Sequence, residues 1–203
     1  MQRPTKEQIT ELPLYEGLNL TDIHLVETDS DAAHALQVLQ HESCLGYDTE
    51  SKPIFRKGEV SPGPSLIQLA TERTAFLFPT RFPAALKAAA ELLARTDIKK
   101  VGFGLKDDNR ELRGKLNITI CNTLDLSMAL KALAGEKNAI GARAAVAMVL
   151  QQRLGKGAQK SNWGAYPLRE NQILYAANDA HSAINIALTL SRQGLLDMPS
   201  NKK

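Results

Sequence analysis

The stretch Leu45-Gly46-Tyr47-Asp48-Thr49-Glu50-Ser51-Lys52 begins like a buried strand and yet carries two carboxylates. Side chains alternate between the two faces of a strand, so Asp48 and Glu50 share one face while Tyr47 and Thr49 point to the other. Such a pair is either a strand end emerging into solvent or one wall of a cleft. What decides between them is whether further acids converge on the same place.

Working outward, Asp22–Thr28 has the character of a strand and Asp29–Gln40 that of a capped helix leading into the acid-bearing strand. A polar loop rich in Pro and Gly spans Ser51–Pro64. It is followed by SLIQLAT and TAFLFP, apolar runs separated by Glu72-Arg73, the pattern of a hairpin. Pro83 starts an Ala/Leu-rich helix to about Arg95. KKVGFG then predicts a short strand, DDNRELRGKL a helix and Ile118–Ser127 another strand. LSMALKALAG and GARAAVAMVLQQRLG read as helices, the second ending near Gly155, and a basic loop runs from Gly155 to Asn162. A long helix from about Leu168 to Arg192 stops at Gly194. At the N-terminus, Thr5 and Gln8 have capping-box spacing, which predicts a short helix up to Pro13. A hairpin followed by crossovers predicts an α/β domain with a mixed five- to six-stranded sheet flanked by helices.

With 203 residues, 43% of them hydrophobic and 23% charged, the chain can bury the core of one domain. The expected division is an N-terminal helical extension at 1–20, the main domain at 21–196 and a flexible tail at 197–203. The sequence has neither a run of 18 apolar residues nor a signal-like start, so no membrane partner and a cytoplasmic location are expected. Cys44 and Cys121 lie in no C-x-x-C pattern and are expected as buried free thiols. A net charge of +3 does not by itself announce a nucleic-acid binder. The basic residues do gather, at Lys52/Arg56/Lys57, Lys99/Lys100/Lys106, Arg110/Arg113/Lys115 and Arg153/Lys156/Lys160.

Two more acids stand where packing alone would not put them. Asp108 follows the glycine-flanked VGFGLKDD, and Asp179 interrupts an Ala/Ile/Leu-rich helix. Tyr175 precedes Asp179 by four residues, so phenol and carboxylate share one helical face. Four carboxylates converging on one cleft would repel one another, and burial would raise their pKa values unless cations compensated. Oxygen donors without a Cys/His set favour Mg²⁺ or Mn²⁺ over zinc. His24, His34, His41 and His181 show no metal-ligand spacing. The third glycine of a G-x-G-x-x-G pattern is replaced by Asp107, which disfavours a dinucleotide site. Trp163 is expected as a packing anchor for the last helix.

The order GYDTE, a hairpin carrying LIQL, VGFGLKDDNREL, then SNWGAYPLRENQILYAANDA resembles the exonuclease domain of the Werner syndrome helicase and its bacterial relatives. More distantly it is similar to ribonuclease D and to the proofreading domain of DNA polymerase I. The resemblance covers roughly Ile23 to Leu190 and implies a ribonuclease H-like fold and the DEDDy class of 3′-to-5′ exonucleases. It places the D-x-E motif on Asp48 and Glu50, the second-motif acid on Asp108 rather than Asp107, and Y-x-x-x-D on Tyr175 and Asp179. It further implies two ions, one held by Asp48, Glu50 and Asp179, the other by Asp48 with Asp108 through water, and Tyr175 aiming the attacking water. The implied partner is single-stranded or 3′-recessed nucleic acid, with a helicase or repair protein alongside. Thr49, Lys52, Lys106, Arg110 and Lys160 are candidate substrate contacts. The alternatives are a catalytically decayed 3′-end-binding domain and a dedicated RNA-processing or short-oligonucleotide exoribonuclease. Two departures stand out: Arg169 occupies the place of the usual Ser/Thr cap of the last helix, and Gly141–Leu154 is alanine-rich.

Overall fold

The computed structural model describes residues 1–53, 58, 60–155 and 157–199. Six strands form one sheet: β1 (Ile23–Leu25), β2 (Cys44–Ser51), β3 (Pro64–Ala70), β4 (Ala75–Pro79), β5 (Lys99–Gly102) and β6 (Thr123–Asp125). Their spatial order is β1-β4-β3-β2-β5-β6. β3 runs antiparallel to β2 and β4, and the other pairs are parallel. The acid-bearing strand is therefore central. Asp48 pairs with Gln68 and Glu50 with Leu66, and the register shifts between Glu50 and Ser51.

The helices are α1 (Lys6–Glu11), α2 (Asp29–Leu39), α3 (Pro83–Ala94), α4 (Leu105–Leu116), α5 (Leu126–Ala134), α6 (Ala142–Leu150) and α7 (Glu170–Arg192). Strand alternation divides the core into two layers. Leu45, Tyr47, Ile67, Leu69, Phe76 and Phe78 pack with α2, α3 and α4. Leu66, Leu77 and Val101 pack on the other face against Ala176, Ala177, Ala180 and Ile184 of α7. The small side chains of α7 let its backbone lie close to the sheet. At Gly46 the approach is closest, since a Cβ there would stand 2.0 Å from the carbonyl oxygen of Ala180. That contact brings Asp179 down onto β2.

Several expectations change at the edges. The strand expected over Asp22–Thr28 is limited to Ile23–Leu25. Of Ile118–Ser127 only Thr123–Asp125 pairs with the sheet. Asn117 and Asn122 adopt positive φ, and the N–H groups of Ile118 and Cys121 donate to Leu112 and Leu93, so that segment bonds to helices instead. The helix expected to reach Gly155 stops at Leu150, where Gln151 turns to positive φ. Arg153 then forms a bridge with Leu14. Lys100, expected in a basic cluster, is fully buried; its ammonium donates to the carbonyls of Arg95 (2.6 Å) and Ile98 (2.9 Å) just past α3. Burial pulls its pKa down to about 8.

Cys44 and Cys121 are free thiols, the first buried as expected and the second only half-buried. Arg56, Lys57 and Lys156 lie outside the described residues, as does the tail after residue 199. Among the described residues no helix is long and apolar enough to cross a membrane.

Candidate active site

Asp48, Glu50, Tyr175 and Asp179 line one cavity of about 1010 Å³, which also takes in Phe103, Arg143 and Arg153. The carboxylates arrive there from β2 and α7 for the reasons the backbone gives: two alternate residues of a central strand, and a helix pressed onto that strand at Gly46. At the start of α7 the Arg169 N–H donates to Gln172 Oε1 at 3.1 Å, the half of a capping box that does not need a Ser/Thr side chain at the cap. Trp163 is buried beside Tyr175, with ring centroids 6.1 Å apart.

Asp108 comes from α4, on the opposite layer of the sheet. Gly104 takes φ +68 to begin that helix, and the N–H groups of Gly104 and Leu105 both donate to the Asp125 carboxylate at 3.1 Å. The Asp108 carboxylate accepts from Thr49 Oγ1 at 2.6 Å. It is therefore tied to the back of the strand whose front carries Asp48 and Glu50, near enough to raise the pKa of both. Its neighbour Asp107 turns outward and pairs with Arg110 at 2.9 Å.

The electrostatics follow from this crowding. Burial, then repulsion from Asp179, Asp108 and Glu50, hold the Asp48 pKa well above the usual carboxylate range. Burial, then Asp179 and Asp108, push Glu50 up to about 8. Asp179 is raised by burial, against the opposing pull of a hydrogen bond from Tyr175 and the nearby Arg143. Burial and the adjacent carboxylates push the Tyr175 phenol well above 10. Excess buried negative charge with oxygen-only donors fits a hard divalent cation. Asp48, Glu50 and Asp179 are the residues that could hold one. Among the described residues no group of three or more His, Cys, Asp or Glu side chains already stands in a metal-holding arrangement. The Asp108 carboxylate is engaged by Thr49 and that of Asp179 by Tyr175.

The raised carboxylates have a thermodynamic consequence. Between about pH 4.5 and 8 the folded chain keeps a proton on Glu50 that the unfolded chain releases, so this group's contribution to stability falls as pH rises through that window. His24 and His181, depressed chiefly by burial, act in the opposite sense. Comparison with Glu50→Gln cancels them. In chelator, wild-type stability should fall relative to Glu50→Gln by at most about 1.4 kcal/mol per pH unit from pH 5 to 8. Urea melts across this range check it; a wild-type stability that stays constant or gains relative to Glu50→Gln as pH rises contradicts the assignment.

Of the other candidate substrate contacts, Thr49 lines the cavity with its hydroxyl turned back onto Asp108, whereas Lys106, Arg110 and Lys160 are exposed and do not line it. Lys52 lies beside Gly164, two residues beyond Glu50 along the chain. Arg143 and Phe103 were not anticipated. A lone arginine in the Ala/Val run of α6 was the available signal for the first; nothing in the pattern marked the second.

The 3′-5′ exonuclease family matches residues 23–194. An exonuclease mut-7 homolog of Homo sapiens is 30% identical over 85% of this chain and 23% of its own length. The bifunctional 3′-5′ exonuclease/ATP-dependent helicase WRN of Mus musculus is 29% identical over 74% of this chain, which spans 11% of that protein. The ribonuclease D of Xanthomonas oryzae pv. oryzae is 28% identical over 84% of this chain and 46% of its own length. The Nibbler EXO domain of Aedes aegypti superposes with a TM-score of 0.75 at 25% identity, over 87% of this chain and 90% of that domain. Escherichia coli RNase D, at 20% identity, superposes with a TM-score of 0.69 over 86% of this chain and 46% of its own. The mixed sheet and its flanking helices are those of the ribonuclease H-like fold, and the chain belongs to the DnaQ-like 3′-5′ exonuclease family.

Proposed function

We propose that this domain is a DEDDy-type exonuclease that removes nucleoside 5′-monophosphates from the 3′ end of single-stranded or 3′-recessed nucleic acid, with two Mg²⁺ or Mn²⁺ ions as cofactor. The observation that carries this reading is the joint placement of Asp48, Glu50, Asp179 and Tyr175 on one cavity, with Asp108 within electrostatic reach behind them. Asp48, Glu50 and Asp179 would hold one ion, and Asp48, with Asp108 through water, the other. When bound, such ions supply an activated water and stabilise the charge that develops on the attacked phosphate and the departing 3′ oxygen.

The chain's own groups do the positioning. Tyr175 keeps its proton at any working pH, so it aims the attacking water by a hydrogen bond and is not the base that deprotonates it. Thr49 holds the Asp108 carboxylate at one orientation. Arg143 offsets part of the charge on Asp179 and stands where an incoming phosphate would meet a cation. Lys52, Lys106, Arg110 and Lys160 are outer contacts for the strand. The mouse relative joins an exonuclease to a helicase in one chain by name, and a helicase or repair protein opening the same duplex is the corresponding partner proposed here.

Tyr175→Phe keeps the ring and removes one hydrogen bond, so kcat should fall on the order of 10²-fold, about 2.7 kcal/mol, with Mn²⁺ affinity little changed. Asp179→Asn should weaken Mn²⁺ binding as well. Calorimetric Mn²⁺ titration beside single-turnover digestion of DNA and RNA oligonucleotides separates the two. If Tyr175→Phe weakens the metal as much as Asp179→Asn, or leaves the rate untouched, Tyr175 has no role in orienting the water.

A further inference from the structure

The cavity that holds the acids is also lined by Arg3, Lys6, Ile9 and Thr10. These residues belong to the segment that precedes the sheet. Helix α1 is only six residues long and buries none of them, so it is not stable on its own. A Thr5/Gln8 capping box shapes its first turn.

What holds the segment in place is the chain immediately after it. Arg153 donates its N–H to the Pro13 carbonyl (2.8 Å) and its Nε–H to the Leu12 carbonyl (2.8 Å), and accepts from the Tyr15 N–H (2.9 Å). The Tyr15 hydroxyl accepts from Asn185 Nδ2 at 2.8 Å and lies 3.0 Å from His181 Nδ1. The Leu18 N–H donates to Asn178 Oδ1 at 2.8 Å. Asn178, His181 and Asn185 all stand on α7, the first of them beside Asp179. The arm is thus tied to the helix that carries two of the site's residues. It presents two exposed cations to a cavity whose other groups include the acids.

We infer that the N-terminal arm is a substrate-binding element, in which Arg3 and Lys6 contact phosphates of the nucleic-acid strand whose 3′ end lies at Asp48 and Glu50. This rests on the exonuclease reading above. Acids that gather cations serve the scissile phosphate, whereas the phosphates next to it need fixed positive charge, and the arm supplies that charge on the same cavity. Strand phosphates are anionic and regularly spaced, so two such contacts act as an electrostatic clamp of predictable salt dependence.

The test uses the full chain and a single-stranded oligonucleotide with a phosphorothioate 3′ terminus, in Mg²⁺, with binding followed by fluorescence anisotropy over a salt series. Arg3→Ala/Lys6→Ala should reduce the slope of log K against log salt by about 1.4, two contacts at about 0.7 each. With an unmodified strand its KM for digestion should rise roughly tenfold. Lys87→Ala/Lys137→Ala removes the same charge from exposed positions that do not line the cavity and should keep the wild-type slope. Equal slopes for the two double variants overturn the inference, as does faster digestion by Arg3→Ala/Lys6→Ala, which would make the arm a plug. Wild-type digestion of the unmodified strand stands as an independent readout: if it is present while the slopes are equal, only the role of the arm fails, and if it is absent the exonuclease reading fails first.

Discussion

Asp48→Asn should lower the single-turnover rate of strand digestion by at least about 10³-fold, roughly 4 kcal/mol in the barrier. Asp48 is the acid that every other member of the cluster acts upon, since Asp179, Asp108 and Glu50 all raise its pKa. In the proposed arrangement it is also the one residue shared by both ions, so its loss removes more than any single neighbour's would. The same substitution takes away a buried acid whose ionisation its surroundings oppose, and should therefore raise the melting temperature of the chelated protein while abolishing the stabilisation by added Mn²⁺. Thermal melts with and without Mn²⁺, beside the rate, check both halves. A variant that digests within tenfold of wild type, or that is still stabilised by Mn²⁺ to the wild-type extent, would remove Asp48 from the centre of the site.

The second large effect is mechanical. In Gly46→Ala the new methyl carbon would stand 2.0 Å from the Ala180 carbonyl oxygen and 3.2 Å from Ile184 Cβ. Both obstacles belong to α7, and the strand is held on both sides by β3 and β5. No flexible side-chain end is available to yield, so the cost should be at or above about 3 kcal/mol by urea denaturation. Because the shift falls between Gly46 and Ala180, it also moves Asp179 away from Asp48, and the variant that does fold should digest poorly. Gly114→Ala serves as the contrast: that glycine lies inside α4 with nothing near its missing Cβ, and alanine there should stabilise by about 0.5–1 kcal/mol. Equal stability of the two variants would contradict the backbone contact between β2 and α7.

Local periodicity made much of this legible in the sequence. The alternation of Asp48 and Glu50 along a strand, and the spacing of Tyr175 and Asp179 along a helix, each put two groups on one face, and both pairs line the same cavity. The apolar runs around Glu72-Arg73 likewise predicted the hairpin of β3 and β4. What the pattern could not convey was how a residue's surroundings redirect it. Lys100 sits in a basic run, yet it turns inward because the carbonyls past the end of α3 need a donor. Ile118–Cys121 has strand-like composition, but the N–H groups of Ile118 and Cys121 donate to helix carbonyls and the flanking Asn117 and Asn122 take positive φ. Arg143 and Arg3 reach the cavity across tertiary contacts, the second through an arm fastened by Arg153 and α7, and no spacing rule links positions so far apart in the chain. Thr49 points away from the acids on its own strand, as alternation requires, and for that reason meets Asp108 on the far side.

The central claim, that this acid cluster cuts nucleic acid from the 3′ end, is tested most directly by digesting a 5′-labelled single strand, as DNA and as RNA, in Mg²⁺, in Mn²⁺ and in EDTA. The expected result is a ladder of labelled fragments shortening one nucleotide at a time, release of nucleoside 5′-monophosphates, and no digestion in EDTA. Immediate release of the label as a mononucleotide, cutting at internal positions, or undiminished digestion in EDTA would contradict it.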